Sequence, residues 1–193
     1  MPLRRLFVLA LCAVALAAGR PAVAQKLVPP SAELIVLVQK AAADHTSFKD
    51  RYDAQVWLMT MSNRLAPIVP DVKKRMALLE LIHAEATRAG VSPELVLSII
   101  NVESNFNRFA VSQAGAQGLM QIMPFWLKLS GLPNGNLFHE NTNLRLGCTI
   151  LKYYLQRSHG DIREALQRYN GATVGIDYSD RVLRALSSRW RWD

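Results

Sequence analysis

Cysteine is scarce in this chain: Cys12 and Cys148 are the only two among 193 residues. That excludes a disulfide-stapled scaffold and a four-cysteine zinc site. The four histidines, His45, His83, His139 and His159, stand at no metal-ligand spacing, so neither a metal nor a cofactor is expected. Beyond the N-terminus no apolar run approaches the roughly 20 residues of a spanning helix. No alternating strand pattern lasts more than a few residues, and there is no internal repeat or low-complexity tract. What remains is an ordinary globular balance, 50% hydrophobic and 20% charged, with a formal net charge of +8.

Part of that charge belongs to an address. Arg4 and Arg5 precede a continuous apolar run from Leu6 to Ala18, and Ala22-Val23-Ala24 offers a small-x-small cleavage site before Gln25. This is the pattern of a secretory signal peptide over 1–24. The alternative, a membrane anchor, fits poorly because the run is short. Leu11 before Cys12 is too large for a lipidation site. Cleavage would remove Arg4, Arg5 and Arg20 and no acid, lowering the charge by three and leaving Cys148 as the one cysteine. The expectation is a modestly basic, exported domain without a membrane span, in the periplasm or secreted. Its partner would be an anionic envelope polymer rather than nucleic acid.

The rest reads as all-α. Pro29-Pro30 closes a linker, and Ser31 can cap a helix to about Ala43. A second helix is expected over about 50–65, with Tyr52, Val56, Met59 and Leu65 among its apolar positions, broken by Pro67 and Pro70. Asp71 can cap a third, with Met76, Leu79, Ile82 and Ala86 at helical spacing and Gly90 as its C-cap. Ser92-Pro93 is a strong start signal for a helix that is apolar nearly all round, from Leu95 to Val102. Glycines at 115, 118, 131 and 135 predict loops and short helices over 105–136. Further helices are expected from Asn141 or Asn143 to Gln156, from Asp161 to Arg168, and over 178–188, with Asn170-Gly171 as a turn. Cys148, with Leu144, Leu151 and Leu155 at helical spacing, reads as a buried small hydrophobe. Trp190 and Trp192, alternating with Arg189 and Arg191, make a basic aromatic tail expected to fray, though it could stack on sugars or touch a membrane surface.

Glu103 needs explaining. It ends the buried helix, and its helical neighbours Ile99, Ile100, Phe106 and Asn107 cannot neutralise it. Burial and the helix C-terminus both disfavour its charged form, which suits a general acid. The bland alternative is a solvated glutamate at a helix end. The surrounding residues decide between them. Glu103-Ser104-Asn105-Phe106 is followed by Ser112, Gly115, Ala116 and Gly118-Leu119-Met120-Gln121-Ile122 with Pro124. Asn143-Leu144 with Gly147, Ala165-Leu166 with Tyr169-Asn170, and Tyr178 with Val182-Leu183 follow in order. This series, over about 89–186, resembles the lytic transglycosylase SLT domain, a soluble-type family with a goose-lysozyme-like fold. Gln167-Arg168 before Tyr169 and Gly171-Ala172-Thr173 after Asn170 depart from the family's usual pattern, which puts the seating of sugar or stem peptide in question.

The resemblance implies cleavage of the β-1,4 bond between N-acetylmuramic acid and N-acetylglucosamine in peptidoglycan, with a 1,6-anhydro product. Glu103 would serve as the single acid and base. Asp161, Glu164, Asp177 and Asp180 read as caps and solvated helix faces, not as a second catalytic carboxylate. Ser104 would bond near Glu103 or the substrate N-acetyl group, or else its own helix backbone. Gln121 would bind substrate, and Met120 would form a sugar floor or simply pack the core. Tyr169 would hydrogen-bond Glu103, Asn170 would bind sugar or merely form the turn, and Gly118 would let the glycan approach the backbone. The expected organisation is signal over 1–24, helical extension over 25–70 and lysozyme-like domain over 71–193. A hydrolytic muramidase on the same fold and a non-catalytic glycan-binding assembly protein are the rival readings. A secretion, conjugation or pilus machine is a candidate partner besides the glycan strands.

Overall fold

The computed structural model describes residues 51–171 and 177–192. The expected signal peptide, the linker and the Ser31–Ala43 helix lie outside the described residues. Among those described, the chain is helical, as expected, with two isolated antiparallel bridges, Val111 to Gln117 and Gln117 to Ile122. The elements are α1 (Arg51–Leu65), α2 (Val72–Ala89), α3 (Pro93–Glu103), α4 (Phe125–Leu129), α5 (Glu140–Arg157), α6 (Ile162–Asn170) and α7 (Asp177–Ala185), followed by a π-helical turn over Leu186–Trp190.

The capping chemistry places the boundaries. Asp71 accepts from the Lys74 amide, Ser92 from the Leu95 amide with Pro93 in the first turn, and Asp161 from the Glu164 amide. Gly90 ends α2 in the left-handed region at φ 67°. Two boundaries differ from expectation. α5 starts earlier, with His139 as N-cap and no side-chain capping bond. α6 runs on through Tyr169 and Asn170, and the left-handed Gly171 stops it. Asn170 is therefore the last helical residue rather than part of a free turn.

α3 is the central element. Leu95, Val96, Leu97, Ile99 and Ile100 are all buried. α2, α7 and the π turn pack around it, α1 packs on α2, and α5 joins α2 to α6. Not every apolar position of α1 faces inward. Tyr52 and Val56 face solvent, while Ala54, Trp57, Leu58, Met61 and Leu65 are buried in the same cluster as the residues of α2 and α3. That set obeys helical spacing, but Trp57 and Met61 win the inner positions. Arg75 fixes the α1–α2 connection by donating to Ser62 Oγ and to the Val69 and Pro70 carbonyls, at 2.6 to 3.0 Å. Between α2 and α5, Glu85 accepts two bonds from Arg145 and one from Arg88.

The tail does not fray. Trp190 is fully buried, its ring 5.4 Å from that of Phe106 and its Nε1 donating to Asn101 Oδ1 at 3.1 Å. The expected α-helix to 188 gives way to the π turn after Ala185, which is what brings Trp190 back onto the end of α3. Burying an indole outweighs the cost of the irregular turn. Trp192 stays partly exposed.

Candidate active site

Glu103 is the last residue of α3, with Ser104 as its C-cap. Asn105 and Phe106 then reverse the chain with φ of 46° and 64°. A buried phenylalanine in the left-handed region is strained, and the Phe106–Trp190 contact holds it there. This reversal leaves the Glu103 carboxyl at the mouth of the helix, half-buried. Burial pushes its pKa up, while a hydrogen bond from Tyr178 and the charge of Arg181 pull partly back. Tyr178 Oη donates to Glu103 Oε1 at 2.7 Å. The Tyr178 phenol is itself buried, and burial, reinforced by the Glu103 charge, holds its pKa far above the ordinary value. It therefore stays protonated and remains a donor. Among the described residues Glu103 Oε2 accepts no hydrogen bond.

The expected partner of Glu103 was Tyr169, and here the structure corrects the reading. Tyr169 Oη donates to the Met120 carbonyl at 2.8 Å. It sits in the last turn of α6, which faces the 118–121 loop, whereas Tyr178 opens α7, which packs on α3. The spacing of Tyr178, one turn from the buried Val182, points to an inward ring with a hydroxyl needing a partner, but not to which partner.

The Gly118–Gln121 loop is held from three sides. Ser104 Oγ donates to the Leu119 carbonyl at 2.8 Å and lies 3.2 Å from its own helix carbonyl at Ile100. Asn143, fully buried on α5, accepts from the Met120 amide at 2.8 Å and donates to the Gln117 and Leu137 carbonyls at 2.8 and 2.9 Å. Gln121, left-handed at φ 49°, turns its Nε2 inward onto the Ala110 and Gly118 carbonyls. Its amide nitrogen braces the loop instead of reaching outward.

Two further expectations change. A Cβ on Gly118 would overlap the Asn143 amide and the Leu137 carbonyl oxygen. Its lack of a side chain is what this internal approach requires. Met120 is fully buried, and its sulfur fills the space where a Cβ on Gly147 would lie. It packs the core and offers no floor to a sugar. Asn170 is exposed at the end of α6. Cys148 is buried, which pushes its thiol up to about 12.

The neighbouring acids have their own work. Asp161 caps α6, Asp177 pairs with Arg181, Asp180 with Arg163 and Glu164 with Arg168. Among the described residues no carboxylate figures among the groups that perturb Glu103. Among the described residues no cluster of three metal-ligating side chains occurs.

Comparison with known proteins follows the same residues. Residues 80–178 match the model of the family described as the transglycosylase SLT domain. A transglycosylase of Enterobacteria phage PRD1 is 35% identical over 94 residues, 49% of this chain and 34% of that protein. The membrane-bound lytic murein transglycosylase C of Yersinia pestis is 35% identical over 120 residues, 54% of this chain and 34% of that protein. The chain thus spans about a third of the length of these curated relatives. Among solved structures, the 70 kDa soluble lytic transglycosylase of Escherichia coli overlays 78% of this chain and 27% of its own with a TM-score of 0.42 and 21% identity.

Proposed function

The chain belongs to the transglycosylase SLT domain family, and from that premise we propose that it is a peptidoglycan lytic transglycosylase with Glu103 as its single acid and base. The observation that carries this reading is the desolvated Glu103 carboxyl, whose pKa is raised while one oxygen is oriented by the Tyr178 hydroxyl. A carboxyl that keeps its proton can give it to the glycosidic oxygen as the bond from the muramic anomeric carbon breaks. Most glycosidases use a second carboxylate at this stage. Here the substrate's own N-acetyl oxygen would bond to the electron-poor anomeric carbon instead. Glu103, now ionised and still bonded by Tyr178, would accept the proton of the muramic C6 hydroxyl. That oxygen then bonds to the anomeric carbon, the N-acetyl group leaves it, and a 1,6-anhydro ring closes. Glu103 is protonated again and no water is consumed.

Ser104, Asn143 and Tyr169 support this chemistry by holding the 118–121 backbone against the end of α3. Asn170 and the outer edge of Gln121 remain the candidates for touching sugar. The enzyme would act in the cell envelope, in the periplasm after export, and would open local gaps in the wall for a secretion, conjugation or pilus machine.

Mass spectrometry of peptidoglycan digested by the purified protein, beside Glu103→Gln, tests the reading. Anhydromuropeptides from the wild type, reduced at least about 100-fold in the variant, are expected from the loss of a general acid–base group. Reducing-end products would make it a hydrolase. Absence of products from the wild type would leave a glycan-binding role.

A further inference from the structure

A hollow of about 770 Å³ opens between the end of α1 and the π turn, lined by Asn63, Arg64, Ser187, Ser188, Arg189 and Arg191, with Pro67 at its edge. None of these residues belongs to the Glu103 site. Three arginines line it, from two segments far apart in sequence, and no carboxylate is among the described lining residues. Arg64 donates to the Arg191 carbonyl at 2.6 Å, which ties the two walls together. Arg189 lies over the Trp190 ring at 5.7 Å, so the buried indole fixes its direction. Neither Arg64 nor Arg189 is ion-paired among the described residues.

A second hollow of about 370 Å³ adjoins the first, sharing Ser187 and Arg191, and its other walls include Leu183, Leu186 and Trp192. Trp192 is 39% exposed at this rim. The carboxylate in the second hollow, Glu94, accepts hydrogen bonds on both oxygens, from Trp57 Nε1 at 2.7 Å and Ser92 Oγ at 2.6 Å. Both oxygens are thus turned toward Trp57 and Ser92. The result is an arginine-rich cup adjoining a smaller one walled in part by Leu183, Leu186 and Trp192.

We propose that these paired hollows bind the phosphate headgroup of an anionic lipid. Guanidinium groups match phosphate oxygens bidentately and are weakly hydrated, which suits a partly enclosed cup. The leucines and Trp192 would receive the glycerol and first methylenes, and an exposed tryptophan is at home at a membrane–water interface. A free phosphate would use the arginine cup alone and gain nothing from the smaller one. Such a contact would hold the domain at a bilayer surface.

Co-sedimentation of the purified protein without its expected signal residues 1–24, with phosphatidylcholine vesicles with and without about one-third phosphatidylglycerol, tests the proposal. The wild type should bind the anionic vesicles and not the neutral ones. Each basic side chain near such a surface contributes a factor of about 5, so Arg64→Gln with Arg189→Gln should weaken binding about 25-fold. Arg189→Gln alone, which breaks no hydrogen bond, should account for about 5-fold of this. Trp192→Ala should weaken vesicle binding but not the binding of inorganic pyrophosphate measured by calorimetry. A control carrying the same charge change on exposed residues elsewhere, Lys128→Gln with Arg157→Gln, should bind nearly as the wild type. Equal loss in that control would mean diffuse charge attraction and overturn the site. Pyrophosphate binding without vesicle binding would overturn the lipid assignment and leave a soluble phosphate as occupant. Binding to neither would overturn the proposal entirely.

Discussion

Replacing Asn143 with alanine should destabilise the protein by about 3 kcal/mol, and the sum can be worked from three hydrogen bonds. The Asn143 side chain is fully buried and saturates the Met120 amide, the Gln117 carbonyl and the Leu137 carbonyl. The Gln117 carbonyl also accepts from the Ile122 amide at 2.9 Å, so it keeps a partner in the variant. Two groups are orphaned, the Met120 N–H and the Leu137 carbonyl. Each buried unsatisfied group costs about 1–3 kcal/mol, and water entering the vacated space returns part of that. Asn143→Asp should be worse at neutral pH, because an oxygen would then face two carbonyl oxygens. A buried aspartate in that setting has its pKa raised above the unfolded value. Its penalty is therefore present above the unfolded pKa and is relieved as pH falls toward the ordinary carboxylate range. Urea denaturation at neutral pH and near pH 4, with hydrogen exchange at the Met120 amide, would measure this. An alanine variant within about 0.5 kcal/mol of wild type, with Met120 still protected from exchange, would refute the reasoning.

Two further outcomes follow from the same contacts. Tyr178→Phe removes the bond that favours ionised Glu103, so the Glu103 pKa should rise and the alkaline limb of the pH–activity profile should move to higher pH, with slower turnover because the base step loses its stabilising donor; an unmoved alkaline limb would remove Tyr178 from the site. Trp190→Ala should cost about 3–5 kcal/mol in urea denaturation, as for other buried aromatics cut to alanine, whereas a frayed tail would give a change below about 0.5 kcal/mol.

The order and type of the helices were legible because local chemistry set them. Asp71, Ser92-Pro93 and Asp161 supply capping groups to the amides that follow them, and Gly90 adopts a conformation other residues resist. Glu103 could be singled out for a similar reason, as a carboxyl ending an apolar helix without an i±4 partner, and the motifs around it decided for an acid over a solvated helix end. The residues around it were not legible in the same way. Tyr169 and Tyr178 carry the same hydroxyl, and their positions in sequence cannot say which one meets Glu103. That depends on α7 lying against α3 while α6 faces the 118–121 loop. The residue types of Gly118 and Met120 permit contact with a sugar, but the Asn143 amide crowds Gly118 and the Met120 side chain fills the space beside Gly147 of α5. Trp190 looked like a loose end until a π turn seated it on Asn101 and Phe106. Caps and periodicity act within a few residues, so the sequence alone determined the helices and the anomalous acid. Hydrogen-bond partners and burial across the core depend on how helices meet, and only the tertiary structure decided those.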